Sequence, residues 1–253
     1  AHHLYCQVIQ RMPAIHRHPD LFTNAALKFA PGAQMRLNPT DVAHSRLAWL
    51  GVYEDALSDA IVSLARQVGG KLLDVGANYG YFSLLWCSAR PENSAIAIEA
   101  SPRNLAALRD NVNRNGLSDR ITVCDWAASN ITGSVSFELG PLEQTGWGGI
   151  AATSESSTSV TVPCFRLDER FSADDFTVVK IDCEGADPLV IEGASGLWQG
   201  TEVQHVFYEE NTYRMAQLGL TPGSAKLQLE RFGFRVSPLK DQDLTEFHAQ
   251  RTA

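Results

Sequence analysis

Acidic side chains stand where apolar runs of this sequence give way to turns: Asp74 after KLL, Glu99 after SAIAI, Asp125 after RITVC, Asp182 after VVKI and Glu209 after HVFY. Two of these points are thickened, to KIDCEGAD with Glu184 and Asp187, and to YEEN with Glu210. Carboxylates so placed can accept from a ligand's hydroxyl or ammonium groups, take a proton as general base, or offer oxygens to a divalent cation. An alcohol is a poor nucleophile with a very high pKa, so chemistry at its oxygen needs such a base or a metal. Asp182, Glu184 and Glu209 are the candidates for that task, and Glu210 is read with them as a second pocket wall facing substrate. A structural use of the same residues stays open: Glu184 as cap of the following helix and Asp182 bound to backbone amides. Asp182 and Glu209 are also candidates to hold a divalent cation, although the sequence supplies no third ligand. His16, His18, His44, His205 and His248 show no ligand spacing, and His205, inside a strand-like run, reads as a core or pocket-edge residue.

The elements that must position these groups follow an alternating pattern from residue 71 onward. KLLDVG, SAIAIE, RITVCD, FTVVKID, VQHVFYEE and FRVSPL read as strands. YGYFSLLWCSA, SPRNLAALRDNVNRNG, PLVIEGA and TPGSAKLQLERFG read as the helices between them. Such alternation predicts an α/β fold with a parallel sheet covered on both faces, and a ligand cleft beyond the strand C-termini. GSVSFEL and SSTSVTVPCF interrupt the pattern as an extra strand pair after the third strand. EDALSDAIVSLARQV has helical spacing and stops at Gly69-Gly70. Ahead of it, RHPDLFTNAALKF reads as a short helix and APGAQMRLNPTD as a turn-rich loop. Residues 1–53 are therefore taken as a small N-terminal helical cap and 54–253 as the main domain.

The turn LLDVGANYGYF narrows the ligand. A dinucleotide fingerprint G-x-G-x-x-G counted from Gly76 would need glycine at positions filled by Asn78 and Tyr81, so a nicotinamide-dependent dehydrogenase is disfavoured. The spacing that holds is Asp74-x-Gly76-x-Asn78-x-Gly80, in which asparagine tolerates a left-handed conformation. This form resembles motif I of class I S-adenosylmethionine-dependent methyltransferases. In that setting Asp74 can accept from the ligand's ammonium, amides around Asn78 to Gly80 can meet its carboxylate, and Gly76, Ala77 and Tyr79 count with them as cofactor-binding positions. Glu99, with Ala100 and Ser101 after it, can accept both ribose hydroxyls, a feature nicotinamide cofactors share. In the same architecture Asp125 would meet the adenine amino group, with Trp126 and Ala127 along the ring. Taken alone, that segment is equally an Asp cap with a core tryptophan.

Further segments are similar to the FkbM family of methyltransferases: GVYEDAL, AIEASP, LRDNVNRNG, AASNITGSVSF, VPCFRLDERF and VVKIDCEGADPLVIEGA, over roughly residues 50–195. AIEASP departs from the family by Ala100 where proline is usual, which alters the turn but keeps Glu99. The resemblance implies a Rossmann-like class I methyltransferase sheet and O-methylation of a hydroxyl on a sugar, glycan or secondary metabolite. It also implies that Tyr53 and Glu54 lie over the cofactor. Trp147, between glycines in EQTGWGGIAATSESSTS, could stack on a sugar ring or sit tucked in a surface loop. A non-catalytic S-adenosylmethionine-binding module is the alternative, and Asp182 with Glu184 argues against it.

Composition, 44% hydrophobic and 20% charged, is ordinary for a soluble globular protein, and the net charge is −8. That charge disfavours a nucleic-acid partner held by a broad basic face. Of the five cysteines, Cys124, Cys164 and Cys183 sit in strand-like runs and none forms a C-x-x-C pair, as expected in a reducing cytoplasm. No apolar run approaches the ~18 residues of a membrane span. His2 and His3 could be native or a tag remnant.

Overall fold

The structure, a computed structural model, describes residues 18–152, 158–172, 175–240 and 243–252. Cys6, His16, the start of the cap and part of the serine-rich loop after Ile150 lie outside the described residues.

Seven strands form the central sheet: β3 (Lys71–Val75), β4 (Ser94–Ile98), β5 (Ile121–Cys124), β10 (Val178–Ile181), β11 (His205–Glu209), β12 (Phe234–Lys240) and β13 (Asp243–Arg251), in the order β12-β13-β11-β10-β3-β4-β5. The five from β5 to β11 are parallel, and β13 runs antiparallel between β11 and β12. The sheet is thus mixed, which corrects the all-parallel expectation. β13 escapes the sequence pattern because its run TEFHAQR carries only Phe247 and Ala249 as apolar residues among polar ones. Chain order reverses at β3, which has β4 on one side and β10 on the other. In such sheets that reversal opens the ligand cleft.

Helices cover the faces as the spacing predicts. α3 (Asp55–Gln67) buries Leu57, Ile61 and Ala65, and Gly69 and Gly70 at positive φ end it. α4 (Tyr81–Ala89) leaves the turn after β3, and α5 (Pro102–Arg114) begins at Ser101-Pro102 with proline in its first turn. α6 (Asp187–Glu192), α7 (Ser195–Gln199), α8 (Thr212–Gln217) and α9 (Ser224–Arg231) complete the cover.

The N-terminal stretch holds more than helices. After α1 (Pro19–Thr23), β1 (Ala25–Leu27) pairs with β2 (Ala30–Met35), so APGAQM is a strand, followed by α2 (Val42–Leu50). Phe22, Leu27, Met35 and Leu47 share one core with Ile61, Leu84 and Trp86, so this stretch is built into the main body. The extra strands are found as expected: β7 (Gly133–Glu138) pairs antiparallel with β9 (Ser159–Phe165), in a separate four-stranded sheet with β6 (Ala127–Ala128) and β8 (Gly149–Ile150).

Candidate active site

The turn after β3 is shaped by backbone. Gly76, Asn78 and Gly80 take φ of 75°, 50° and 87°. A Cβ on Gly76 would strike the backbone carbonyl of Asp182, so the ends of β3 and β10 approach as only glycine permits. Asn78 N–H donates to Glu99 Oε2 and Ser101 N–H to Glu99 Oε1, each at 2.7 Å. Burial pushes the Glu99 carboxyl up to about 7, against the pull of those two amides.

A cavity of about 690 Å³ lies beyond these strand ends, inside the ~300–1,000 Å³ range of small-molecule sites. Gly76, Ala77, Asn78 and Tyr79 of the turn line it, as do Glu99, Ala100 and Ser101. Trp126 and Ala127 add an apolar stretch, with Trp126 backed edge-on by Phe165. Trp147, half exposed, belongs to the same wall.

Glu54, Asp182, Glu184 and Glu209 line another part of the wall, around a buried cation. Lys180 Nζ donates to Gly76 O at 3.0 Å and pairs with Asp182 Oδ2 at 3.3 Å and Asp74 Oδ1 at 3.6 Å. Burial opposes the Lys180 charge, but Asp182, Asp74 and Glu54 outweigh it and raise its pKa. The glutamates respond oppositely. Desolvation, then the charge of Asp182, lifts Glu184 to about 7, Glu54 to about 8 and Glu209 to about 10. Asn211 Nδ2 donates to Glu184 Oε2 at 3.0 Å. The non-glycine residues with positive φ among the described residues are Glu54, Asn78 and Glu184, and all three face this cavity. Backbone strain of this kind gathers at functional sites. Chemically, the cluster can hold hydroxyls, receive a proton and sit beside a cationic sulfur.

Four predicted ligand positions are not on the cavity wall. Asp74 is fully buried, and its Oδ2 accepts from Ser83 N–H and Oγ–H at 3.1 and 2.7 Å; it anchors α4 and Lys180 instead of facing a ligand. Gly80 is needed for packing, since a Cβ there would meet Leu108 Cδ1 at 2.6 Å. Asp125 points to solvent and pairs with Arg109 at 3.1 Å. Glu210 is buried with both oxygens accepting from Gly223 N–H, at 3.0 and 2.9 Å, so it caps the approach to α9. Asp187 likewise turns inward, taking amide hydrogens from Cys183 and Glu209 at 3.3 and 3.1 Å. Asp182 and Glu184 stand beyond the strand, because β10 ends at Ile181. Glu184 is not the cap of α6, whose N-cap is Ala186. Among the described residues no group of three or more His, Cys, Asp or Glu is arranged for a metal ion. His205 Nδ1 sits 2.9 Å from His248 Nε2, away from the cavity.

The sequence reading missed Lys180, Asp41, His44, Asn104 and Thr145, which also line the cavity. Asp41 caps α2 by accepting from His44 N–H at 3.0 Å. Its other oxygen takes Thr145 N–H and Oγ–H at 2.6 and 2.8 Å. Val42 N–H donates to Glu143 O, and Asn104 Nδ2 to Thr145 O. The segment carrying Trp147 is therefore a strap tied down beside the cofactor turn. Lys180 could have been suspected from KID, where a lysine interrupts a buried strand; the others had no local signal.

Comparison with known proteins gives this geometry its relatives. The methyltransferase FkbM domain matches residues 74–236. A Staphylococcus aureus protein provisionally identified as a caffeoyl-CoA O-methyltransferase superposes with a TM-score of 0.50 at 12% identity, over 79% of this chain and 85% of that one. A precorrin-6y C5,15-methyltransferase from Geobacter metallireducens gives 0.47 at 15% identity, over 79% and 90%. A SAM-dependent O-methyltransferase from Thermotoga maritima gives 0.48 at 11%, over 83% and 71%. No protein of curated function matches the chain. The fold is that of the Rossmann-like class I methyltransferases.

Proposed function

The chain belongs to the FkbM family of S-adenosylmethionine-dependent methyltransferases, and we propose that it methylates a hydroxyl oxygen of a sugar, glycan or secondary metabolite. The observation that carries this reading is the convergence of Asp182, Glu184, Glu209 and Glu54 on the cavity that the cofactor turn opens into. S-adenosylmethionine supplies an electrophilic methyl on a sulfonium sulfur, which leaves as a thioether. Asn78, Glu99 with Ser101, and the wall of Trp126 and Ala127 would hold the nucleoside; Glu54 and the turn amides would hold the amino-acid end. The cavity fits such a guest in size, and Asn78 Oδ1 is buried beside it without a hydrogen-bond partner.

Asp182 is assigned the acceptor proton, with Lys180 Nζ fixing one of its oxygens. Glu209, at about 10, carries a proton at neutral pH and donates to an acceptor oxygen. Glu184, at about 7, is the second proton carrier. Trp147, half exposed on the cavity wall, suits a flat or sugar-like acceptor. Asp182 and Glu209 remain the pair to test for a divalent cation: activity that survives a chelator leaves the task to the carboxylate alone. Free Cys87, Cys124, Cys164 and Cys183 support a reducing, cytoplasmic setting, and no described helix is long and apolar enough to cross a membrane.

Labelled S-adenosylmethionine with a panel of sugars, glycans and polyketide alcohols, read by mass spectrometry, tests the reaction. Methyl transfer to nitrogen or carbon, with alcohols inert, would overturn O-methylation. Heat on mixing with NAD and none with S-adenosylhomocysteine would remove the cofactor as well.

A further inference from the structure

His44 lies outside the region that the family domain matches, on the third residue of α2, yet it lines the cavity. Its Nδ1 accepts from Asn38 N–H at 3.2 Å. A ring nitrogen that accepts from an amide cannot carry the proton in neutral imidazole, so the proton is on Nε2. Burial holds the ring neutral, lowering its pKa against the opposing charge of Asp41. The side chain is 5% exposed, and its Nε2–H has no partner among the described residues. The ring packs on Tyr79 with centroids 4.3 Å apart. Tyr79 is the residue between Asn78 and Gly80 in the cofactor turn, and burial, then the charges of Asp41 and Glu99, raise its phenol pKa. Asp41 locks the placement by capping α2 through the His44 amide.

We propose that His44 is a cofactor ligand, its Nε2–H donating to an oxygen of S-adenosylmethionine held by the turn beneath it. The inference rests on the S-adenosylmethionine reading and extends the site into the N-terminal stretch. A neutral donor suits either a ribose hydroxyl or the amino-acid carboxylate, and the two sources separate experimentally.

Titration calorimetry on the full chain, with S-adenosylhomocysteine and with 5′-methylthioadenosine, which lacks the carboxylate, provides the test. His44→Asn keeps an acceptor near the Nδ1 position but cannot reach with a donor; His44→Gln places an N–H near Nε2. His44→Asn should weaken S-adenosylhomocysteine about three- to ten-fold, the worth of one neutral hydrogen bond, and His44→Gln should recover most of it. Loss for both ligands assigns the ribose, and loss for S-adenosylhomocysteine alone assigns the carboxylate. Wild-type affinity in His44→Asn overturns the proposal while leaving the cofactor reading intact. Equal losses in both variants with a lowered melting temperature also overturn it, making His44 a packing residue. A wild-type chain that binds neither ligand overturns the cofactor reading itself.

Discussion

The ends of β3 and β4 meet the same cavity as the ends of β10 and β11, with opposite kinds of surface. The first pair presents turns whose backbone does the work: Gly76, the amide of Asn78, and one carboxylate tied to two amides. The second presents side-chain acids crowded enough to shift one another, around one lysine. Holding a cofactor of fixed shape is a task for geometry, which backbone supplies. Moving a proton is a task for titration, which only side chains supply.

The harshest way to break this division is at its seam. Gly76→Val drives a branched side chain into the Asp182 carbonyl, so both halves should fail together, with no measurable S-adenosylhomocysteine binding and a collapsed melting transition. Asp182→Asn should damage only the acidic half, lowering turnover about 10²–10⁴-fold with cofactor affinity nearly unchanged in calorimetry. Turnover like wild type would move the proton to Glu184. Glu99→Ala is the reciprocal probe. It should weaken S-adenosylhomocysteine by about 1.5–3 kcal/mol, the range for hydrogen bonds to charged groups, and spare the rate at saturation.

A gentler comparison uses pH. Glu184, Glu54 and Glu209 have folded pKa values of about 7, 8 and 10, above the 4.5 of a free glutamate. Raised acids favour the folded state while protonated, so their contribution is complete at low pH and fades as pH climbs through those values. The ligand-free protein should melt lower at pH 9 than at pH 6, by ~2–4 °C for each kcal/mol lost. Glu209→Gln should flatten that slope; an unchanged slope would mean the acids are better solvated than their burial suggests. The smallest effect belongs to Glu210→Gln. An amide can still accept from Gly223, so a loss of ~1 kcal/mol or less in stability is expected, with acceptor kinetics untouched.

Legibility in the sequence follows the same split. The cofactor turn could be read because its demands are local: positive φ at Gly76, Asn78 and Gly80 restricts residue type at fixed spacing. The acids could be found but not sorted. Glu209 faces the cavity and its neighbour Glu210 faces Gly223; Glu184 faces the cavity and Asp187 ties amides. Alternation fixes facing only while a strand lasts, and these residues stand at or beyond its end. The inward turn of Asp74 has no local sign, because the partner that draws it in, Lys180, is on another strand. Asp41 and His44 offered no pattern at all, since their relation to the site exists only once residues about 100 positions away, such as Thr145, fold over them.

The strap around Trp147 hangs from β7 and β8, in a sheet that shares no ladder with the central one among the described residues. Its ties to Asp41 and Asn104 lie at its base, whereas Asp182 and Glu184 follow β10 and Glu209 ends β11. Insertions or recombination within this segment would therefore remodel what the enzyme accepts without resetting the register of the strands that carry its chemistry. Descendants of this chain could diverge in acceptor by exchanging one short stretch of roof, and directed evolution has a natural first library there.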